Sequence, residues 1–247
     1  MGTAPGVAVN DRDAIDIADA LSMLDVAAKA PDGSRWVAAL LQGMRQGECL
    51  GLTWDALDLK AGTADVSWQL QPPSYIAGRK GPLRMPDGFE YRQLDGALCL
   101  VRPKTAKGKR IIALVPWMVD ALTEWRKQCP PSPHGLVWPR PDGRPQTSPT
   151  DRAAWHALQD AAQVARMDDG AGRRYELHEA RHTTATLLLE AGVDTEVVRA
   201  ILGHSSVITS RGYQHVSTAL ARAALDGLAQ TLNQTGSHVV KIVEPLA

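Results

Sequence analysis

Apolar residues recur along this chain with helical and with strand-like periods. From Ala14 to Ala30 alanine, leucine and isoleucine recur at helical spacing and predict an amphipathic helix. Pro31-Asp32-Gly33-Ser34 reads as a turn, with Ser34 placed to cap a second helix whose Trp36, Val37, Leu40 and Leu41 enter the core. Asp65–Leu70, Ala97–Val101 and Arg110–Val115 are rich in β-formers and predict a small antiparallel three-stranded sheet. Gln71–Gly96, rich in proline, glycine and charge, reads as a surface insertion. Pro116–Gln128 predicts a helix burying Trp117, Met118, Leu122 and Trp125. A Pro/Gly loop (Pro130–Pro149), a helix (Thr150–Ala165) and a polar link (Gly170–Glu176) follow.

The next helix carries an apolar face of Leu187, Leu188 and Leu189 with Ala185 and Ala191, and Gly192 stops it. Asp194 starts another, striped by Val197, Val198, Ile201 and Leu202 and closed by Gly203. Ser217–Leu232 reads as a last helix, and Val239–Val243 in the tail has the composition of a strand. The fold class expected is α+β, mainly α-helical. The expected division is a flexible N-terminus over 1–13, one domain over 14–232 and a C-terminal tail over 233–247.

Composition narrows the class. An apolar content of 44% supports a globular core rather than disorder. No apolar run is long enough to span a membrane and no secretory pattern opens the chain, so a cytoplasmic location is expected. Cys49, Cys99 and Cys129 are widely spaced, which fits reduced thiols and neither a disulfide framework nor a cysteine zinc site. The net charge is zero, unusual for a nucleic-acid-binding protein. Yet residues 79–110 hold nine basic side chains against three acidic ones, a local excess able to attract phosphate.

The candidate chemistry lies between Leu177 and Val216. His178-Glu179-Ala180-Arg181-His182 matches H-E-x-x-H, a zinc peptidase signature, and His178 and His182 sit about 40° apart on a helix. The extended form of that motif fails, with Ala185 in the glycine's place and Leu188 in the histidine's. Arg181 inside the motif is also a poor neighbour for a dication. Read instead as H-x-x-R, His178 and Arg181 lie about one turn apart, and imidazole plus guanidinium suit an oxyanion. His204 directly follows the helix stop at Gly203, and Tyr213 follows Gly212. Taken singly, each of these residues is more simply a packing or surface residue; the set in register is what carries weight.

That set resembles the tyrosine recombinase (phage integrase) family. The family's second signature box reads H-x-x-R, then L-G-H about two dozen residues on, then a nucleophilic tyrosine about nine residues later. Here these are His178 and Arg181, Leu202-Gly203-His204, and Tyr213, with Glu179-Ala180 where Asp-Leu is common. The first box, T-G-x-R-x-x-E-L-x-x-L-x-W, is similar to Gln42-Gly43-Met44-Arg45-Gln46-Gly47-Glu48-Cys49-Leu50-Gly51-Leu52-Thr53-Trp54. Gln42 and Cys49 stand where Thr and Leu are common. Arg102-Pro103-Lys104-Thr105 resembles the P-K-T hairpin that carries a catalytic lysine, and Gly135–Pro139 resembles an L-V-F-P turn.

The resemblance covers roughly residues 15–230 and only the family's catalytic domain. A catalytic fragment, or a member of unusual architecture without the N-terminal clamp domain, is therefore expected. It implies site-specific DNA strand exchange through a 3′-phosphotyrosyl intermediate. Tyr213 would be the nucleophile, and Arg45 and Arg181 would hold the phosphate oxygens. Lys104 would be the general acid, with His178 and His204 assisting. Lys107, Lys109, Arg110, Arg173 and Arg174 are candidate DNA contacts. No metal or other cofactor is implied. The partners implied are double-stranded attachment sites, a tetramer of this chain on DNA, and accessory DNA-bending proteins; for the tail, docking in trans on a neighbouring subunit, docking in cis and disorder stand as equal alternatives. A type IB topoisomerase would use the same chemistry. A zinc peptidase and a non-catalytic DNA-binding module are the alternatives from other classes.

Overall fold

The computed structural model describes residues 14–102, 111–168 and 171–202, together with Ala221, Ala223, Ala224, Asp226, Gly227 and Gln230, which are helical. Expectations for residues 1–13, the basic run 103–110, residues 203–220 and the tail lie outside the described residues.

Helix α1 (Ile17–Ala27) starts where the Asp16 carboxylate accepts from Ala18 N at 2.8 Å. It buries Ala20, Met23, Leu24 and Ala27, the i, i+3, i+4, i+7 face of an amphipathic helix. Helix α2 (Ser34–Leu40) is buried at every residue and packs against four of the other helices. Ser34 does not cap it. Gly33 is the cap residue, and the Ser34 hydroxyl accepts from Trp138 Nε1 at 3.0 Å. Trp36 packs on Trp155 with centroids 5.5 Å apart. The indole N–H groups of Trp125 and Trp155 donate to Val137 O and Tyr175 O, so these large side chains leave no buried donor unpaired. After the short helix α3 (Gln46–Leu50) the chain enters its β region.

The single sheet expected from the sequence is two three-stranded sheets. One has the order β1 (Leu57–Asp58), β2 (Thr63–Asp65), β6 (Ile111–Ala113); the other β3 (Gln69–Gln71), β5 (Leu98–Arg102), β4 (Glu90–Asp95). Both are antiparallel throughout. The run Asp65–Leu70 is therefore not one strand. Asp65 Oδ1 accepts from Ser67 N at 2.9 Å, a local turn that breaks the ladder and sends the two halves to different partners. The insertion 71–96 is a loop only in part, because its end forms β4 and turns into β5 through Gly96 at φ 55°.

Helix α4 (Pro116–Gln128) buries Met118, Leu122 and Trp125; the Trp117 side chain lies outside the described residues. Gln42 ties it to α2, donating to Ala113 O at 3.0 Å and accepting from Val115 N at 2.9 Å. Helix α5 (Ser148–Ala162) packs on α1 and leads to the hairpin β7 (Arg166–Asp168) and β8 (Ala171–Arg173). Helices α6 (Leu177–Glu190) and α7 (Thr195–Leu202) follow, divided at Gly192 with φ 76°. Leu187 and Leu188 are buried, but Leu189 is 48% exposed, since three successive residues span too much of a helix to share one face. Among the described residues no helix is long and apolar enough to cross a membrane.

Candidate active site

Three stretches far apart in sequence meet where α6 crosses the α2–α3 turn. Gly43 makes that turn at φ 57°, a left-handed conformation open to glycine at little cost. The turn leaves Arg45 as the N-cap residue of α3 in extended conformation. Glu48, only 2% exposed, fastens it: Arg45 N donates to Glu48 Oε2 at 2.8 Å and Arg45 Nη1 to Glu48 Oε1 at 2.9 Å. The Arg45 side chain is 42% exposed, so a buried carboxylate aims a cation at solvent. Glu48 thus holds both the backbone and the side chain of Arg45.

Arg181 is built differently. It is 4% exposed, and its guanidinium donates from Nη1 to Gly43 O and from Nη2 to Leu202 O. A single side chain on α6 thereby holds the turn before Arg45 and the last residue of α7, next to Gly203-His204 in the chain. Thr184, one turn on, donates to Leu40 O at 2.8 Å and anchors α6 to α2. A charged donor on two buried carbonyls is a strong link, because each carbonyl would otherwise be desolvated without a partner.

His178 is exposed on the first turn of α6, and its Nε2 lies 3.1 Å from Nε2 of His182. Between them, Glu179 is buried and ion-paired. It accepts from Arg166 at 3.2 Å, from Arg173 at 2.7 and 3.1 Å, and from the backbone N–H of Glu176 at 2.5 Å. This carboxylate pins the β7–β8 hairpin to α6 and is in no position to serve as the general base of a zinc peptidase. Among the described residues no group of three or more His, Cys, Asp or Glu could hold a metal.

The structure brings Arg45 and Arg181 together through Gly43. It sets Arg173 on Glu179, while Arg174 forks onto Asp160 at 2.8–3.0 Å, half exposed. Lys104, Lys107, Lys109, Arg110, His204 and Tyr213 lie outside the described residues. Tyr175 is a poor nucleophile. It is buried, its hydroxyl donates to Asp19 Oδ2 at 2.7 Å, and burial followed by that hydrogen bond pushes its pKa up to about 12.

Two supports escaped the sequence reading. Arg166 shares Glu179, and nothing in its local pattern signals that. Arg35 forms a buried ion pair with Asp151, which also accepts from Gln46 Nε2 at 2.7 Å and so steadies the start of α3. Here a signal existed: an arginine inside the apolar run of α2 demands a buried partner.

Known proteins resemble this chain in sequence and in fold. The chain is 26% identical to an Integrase of Saccharopolyspora erythraea over 278 residues, covering 92% of this chain and 60% of that protein. It is 41% identical to Tyrosine recombinase XerD of Mycobacterium tuberculosis over 76 residues, 31% of this chain and 23% of the relative. It is 27% identical to Tyrosine recombinase XerC of Xylella fastidiosa over 206 residues, 82% and 55% respectively. The chain thus spans 60% or less of the length of these relatives.

Among solved structures, the fold matches the XerA recombinase with a TM-score of 0.56 at 18% identity, over 90% of this chain and 64% of that one. It matches the Tn1549 transposon integrase in complex with transposon right end DNA with a TM-score of 0.59 at 22% identity, over 87% and 66%. Residues 15–219 match the model of the phage integrase family, and with the box residues and the fold in agreement, the chain belongs to that family.

Proposed function

We propose that this chain is the catalytic part of a site-specific DNA recombinase that cuts and rejoins strands through a covalent 3′-phosphotyrosyl intermediate. The observation that carries this reading is the Arg181 clamp. One buried guanidinium joins the Arg45 turn to the end of α7 and so holds three signature segments in one arrangement. Such preorganisation is what stabilisation of a phosphoryl transition state requires, because charge must be met without rearrangement.

In this reading the Tyr213 oxygen attacks the scissile phosphorus and the bond to the 5′ oxygen breaks. The departing oxygen takes a proton from Lys104, while His178 accepts the tyrosine proton. Arg45 and Arg181 bear on the non-bridging oxygens, and His204 donates to one of them. The phosphotyrosyl bond keeps the energy of the phosphodiester, so rejoining needs no nucleotide. Lys107, Lys109 and Arg110 lie along the DNA backbone. Arg173 and Arg174 are assigned to the same surface, and their pairing with Glu179 and Asp160 makes any phosphate contact an exchange of partners.

The catalytic domain is taken as residues 14–232. The active form is a tetramer on double-stranded attachment sites, with residues 233–247 docking on a neighbouring subunit and DNA-bending proteins assisting, in the cytoplasm. The test is incubation with supercoiled DNA carrying candidate attachment sites in excess EDTA, quenched with SDS. A protein–DNA adduct that Tyr213→Phe abolishes, with binding retained, supports the reading. An adduct that persists in the variant overturns the nucleophile.

A further inference from the structure

The sheet of β3, β5 and β4 carries charged groups that the proposed reaction does not use. Its register puts Leu70, Leu100, Arg92 and Arg102 on one face, with Trp68 at the entry to β3. That face packs on α3, where Leu50 joins Trp68, Leu70 and Leu100 in one apolar cluster. A Cβ on Gly47 would lie 3.2 Å from Leu70 O, and one on Gly51 2.8 Å from Leu70 N, so bare backbone is what lets β3 lie against the helix. The sheet is thereby fixed to the helix that Arg45 caps. Strand β5 ends at Arg102, two residues before Lys104 in the chain. The opposite face is covered by its own loop, with Leu83 and Met85 packed on Cys99 and Val101.

On the α3 side two guanidiniums converge on one ring. Arg92 Cζ lies 4.6 Å and Arg102 Cζ 5.4 Å from the centroid of Trp68. A cation–π contact holds a cation in place without neutralising it and leaves N–H donors for an oxyanion. Glu90 stands opposite Arg102 in the strand register, yet among the described residues neither arginine forms an ion pair. Arg102 Nε is buried without a hydrogen-bond partner among them. Arg45, Arg166, Arg173 and Arg174, by contrast, each lie on a carboxylate. Two like charges on one ring repel, and an anion between them removes that cost. Arg92 is exposed and Arg102 half-buried, so such an anion can arrive from solvent.

We propose that Arg92 and Arg102, held on Trp68, grip the phosphate backbone of duplex DNA beside the cleavage site. The sheet built from the 71–96 insertion then belongs to the DNA-binding surface. The proposal rests on the function proposed above. Successive phosphates of one strand follow at about 3.4 Å of helix axis, so two adjacent arginines can engage neighbouring phosphates. Such contacts set affinity and register and carry no base recognition.

The experiment is fluorescence anisotropy of a labelled duplex of arbitrary sequence, titrated with the full chain at a series of potassium chloride concentrations. Wild type is compared with Arg92→Gln, Arg102→Gln and Arg102→Lys, and with Arg84→Gln, which lines the groove on the covered face. Circular dichroism checks the fold of each. Arg92→Gln and Arg102→Gln should each lower the slope of log affinity against log salt by about 0.9 and weaken binding several-fold at low salt. Arg102→Lys keeps the charge and should keep the slope, which separates a lost phosphate contact from a damaged sheet. Arg84→Gln should keep it too. Because Arg92 is exposed, its variant decides the matter even if Arg102→Gln fails to fold. Unchanged slopes in the Arg92 and Arg102 variants overturn the proposal and leave the function standing, as does an equal drop in Arg84→Gln. A wild type that neither binds the duplex nor forms the adduct overturns the proposed function and this surface with it.

Discussion

Arg181 and Arg45 are assigned the same chemical duty, yet they should respond differently to truncation. In Arg181→Ala two hydrogen bonds from a charged donor disappear, each worth about 1.5–3 kcal/mol, and the buried Gly43 and Leu202 carbonyls lose an acceptor role at similar cost. Relief of the guanidinium's own desolvation offsets part of this, and water entering the space offsets more. A net loss of about 2–4 kcal/mol results. For a chain of this size that lowers the thermal midpoint by roughly 5–15 °C. Arg45 is 42% exposed and its backbone N–H still donates to Glu48 after truncation, but that buried carboxylate loses the guanidinium, so Arg45→Ala should cost about 1–2 kcal/mol, less than Arg181→Ala. Both variants should lose adduct formation. Urea unfolding of wild type and the two variants, followed by tryptophan fluorescence, measures the difference. An Arg181→Ala protein as stable as Arg45→Ala would refute the view that Arg181 joins the signature segments.

Three further outcomes are expected. Gly43→Ala puts a Cβ 2.4 Å from Leu202 Cδ2 in a left-handed backbone conformation, so it should destabilise by about 2–4 kcal/mol and reduce adduct yield more than Arg45→Lys does; denaturant midpoints and adduct yield check this. Glu179→Gln leaves Arg166 and Arg173 without their shared anion, and should cost about 1–3 kcal/mol and speed amide exchange in the β7–β8 hairpin, read by hydrogen exchange. Tyr175 ionises late because its folded pKa is raised from 10.0 to about 12. The stability it contributes is full below the ordinary value and is lost as pH climbs toward 12. An ultraviolet titration should show one late-ionising tyrosine that Tyr175→Phe removes.

Local physics was legible where local physics decides. The face of α1, the burial of Met118, Leu122 and Trp125 on α4 and the Asp194 start of α7 follow from periodicity and capping, and each is observed. The division of Asp65–Leu70 between two sheets was not legible, because strand partners come from β5 and β6, far along the chain. Leu189 was misread because the periodicity of α6 is weak, with polar and apolar residues mixed round the helix. In the site, Arg45, His178 and Arg181 were recognisable as types at a spacing. What Arg181 holds was not, since Gly43 lies 138 residues away and Leu202 lies 21 away. Arg173 reads as a free basic residue in sequence, and only the fold reveals Glu179 beneath it.

The central claim is that a tyrosine of this chain becomes covalently bonded to a DNA 3′ phosphate. The most direct test traps the adduct on a nicked attachment-site substrate in EDTA, digests protein and DNA, and locates the nucleotide-bearing residue by mass spectrometry. The account predicts a nucleotide joined through its 3′ phosphate to Tyr213. A nucleotide on Tyr75, Tyr91 or Tyr175, or on a serine, would contradict it.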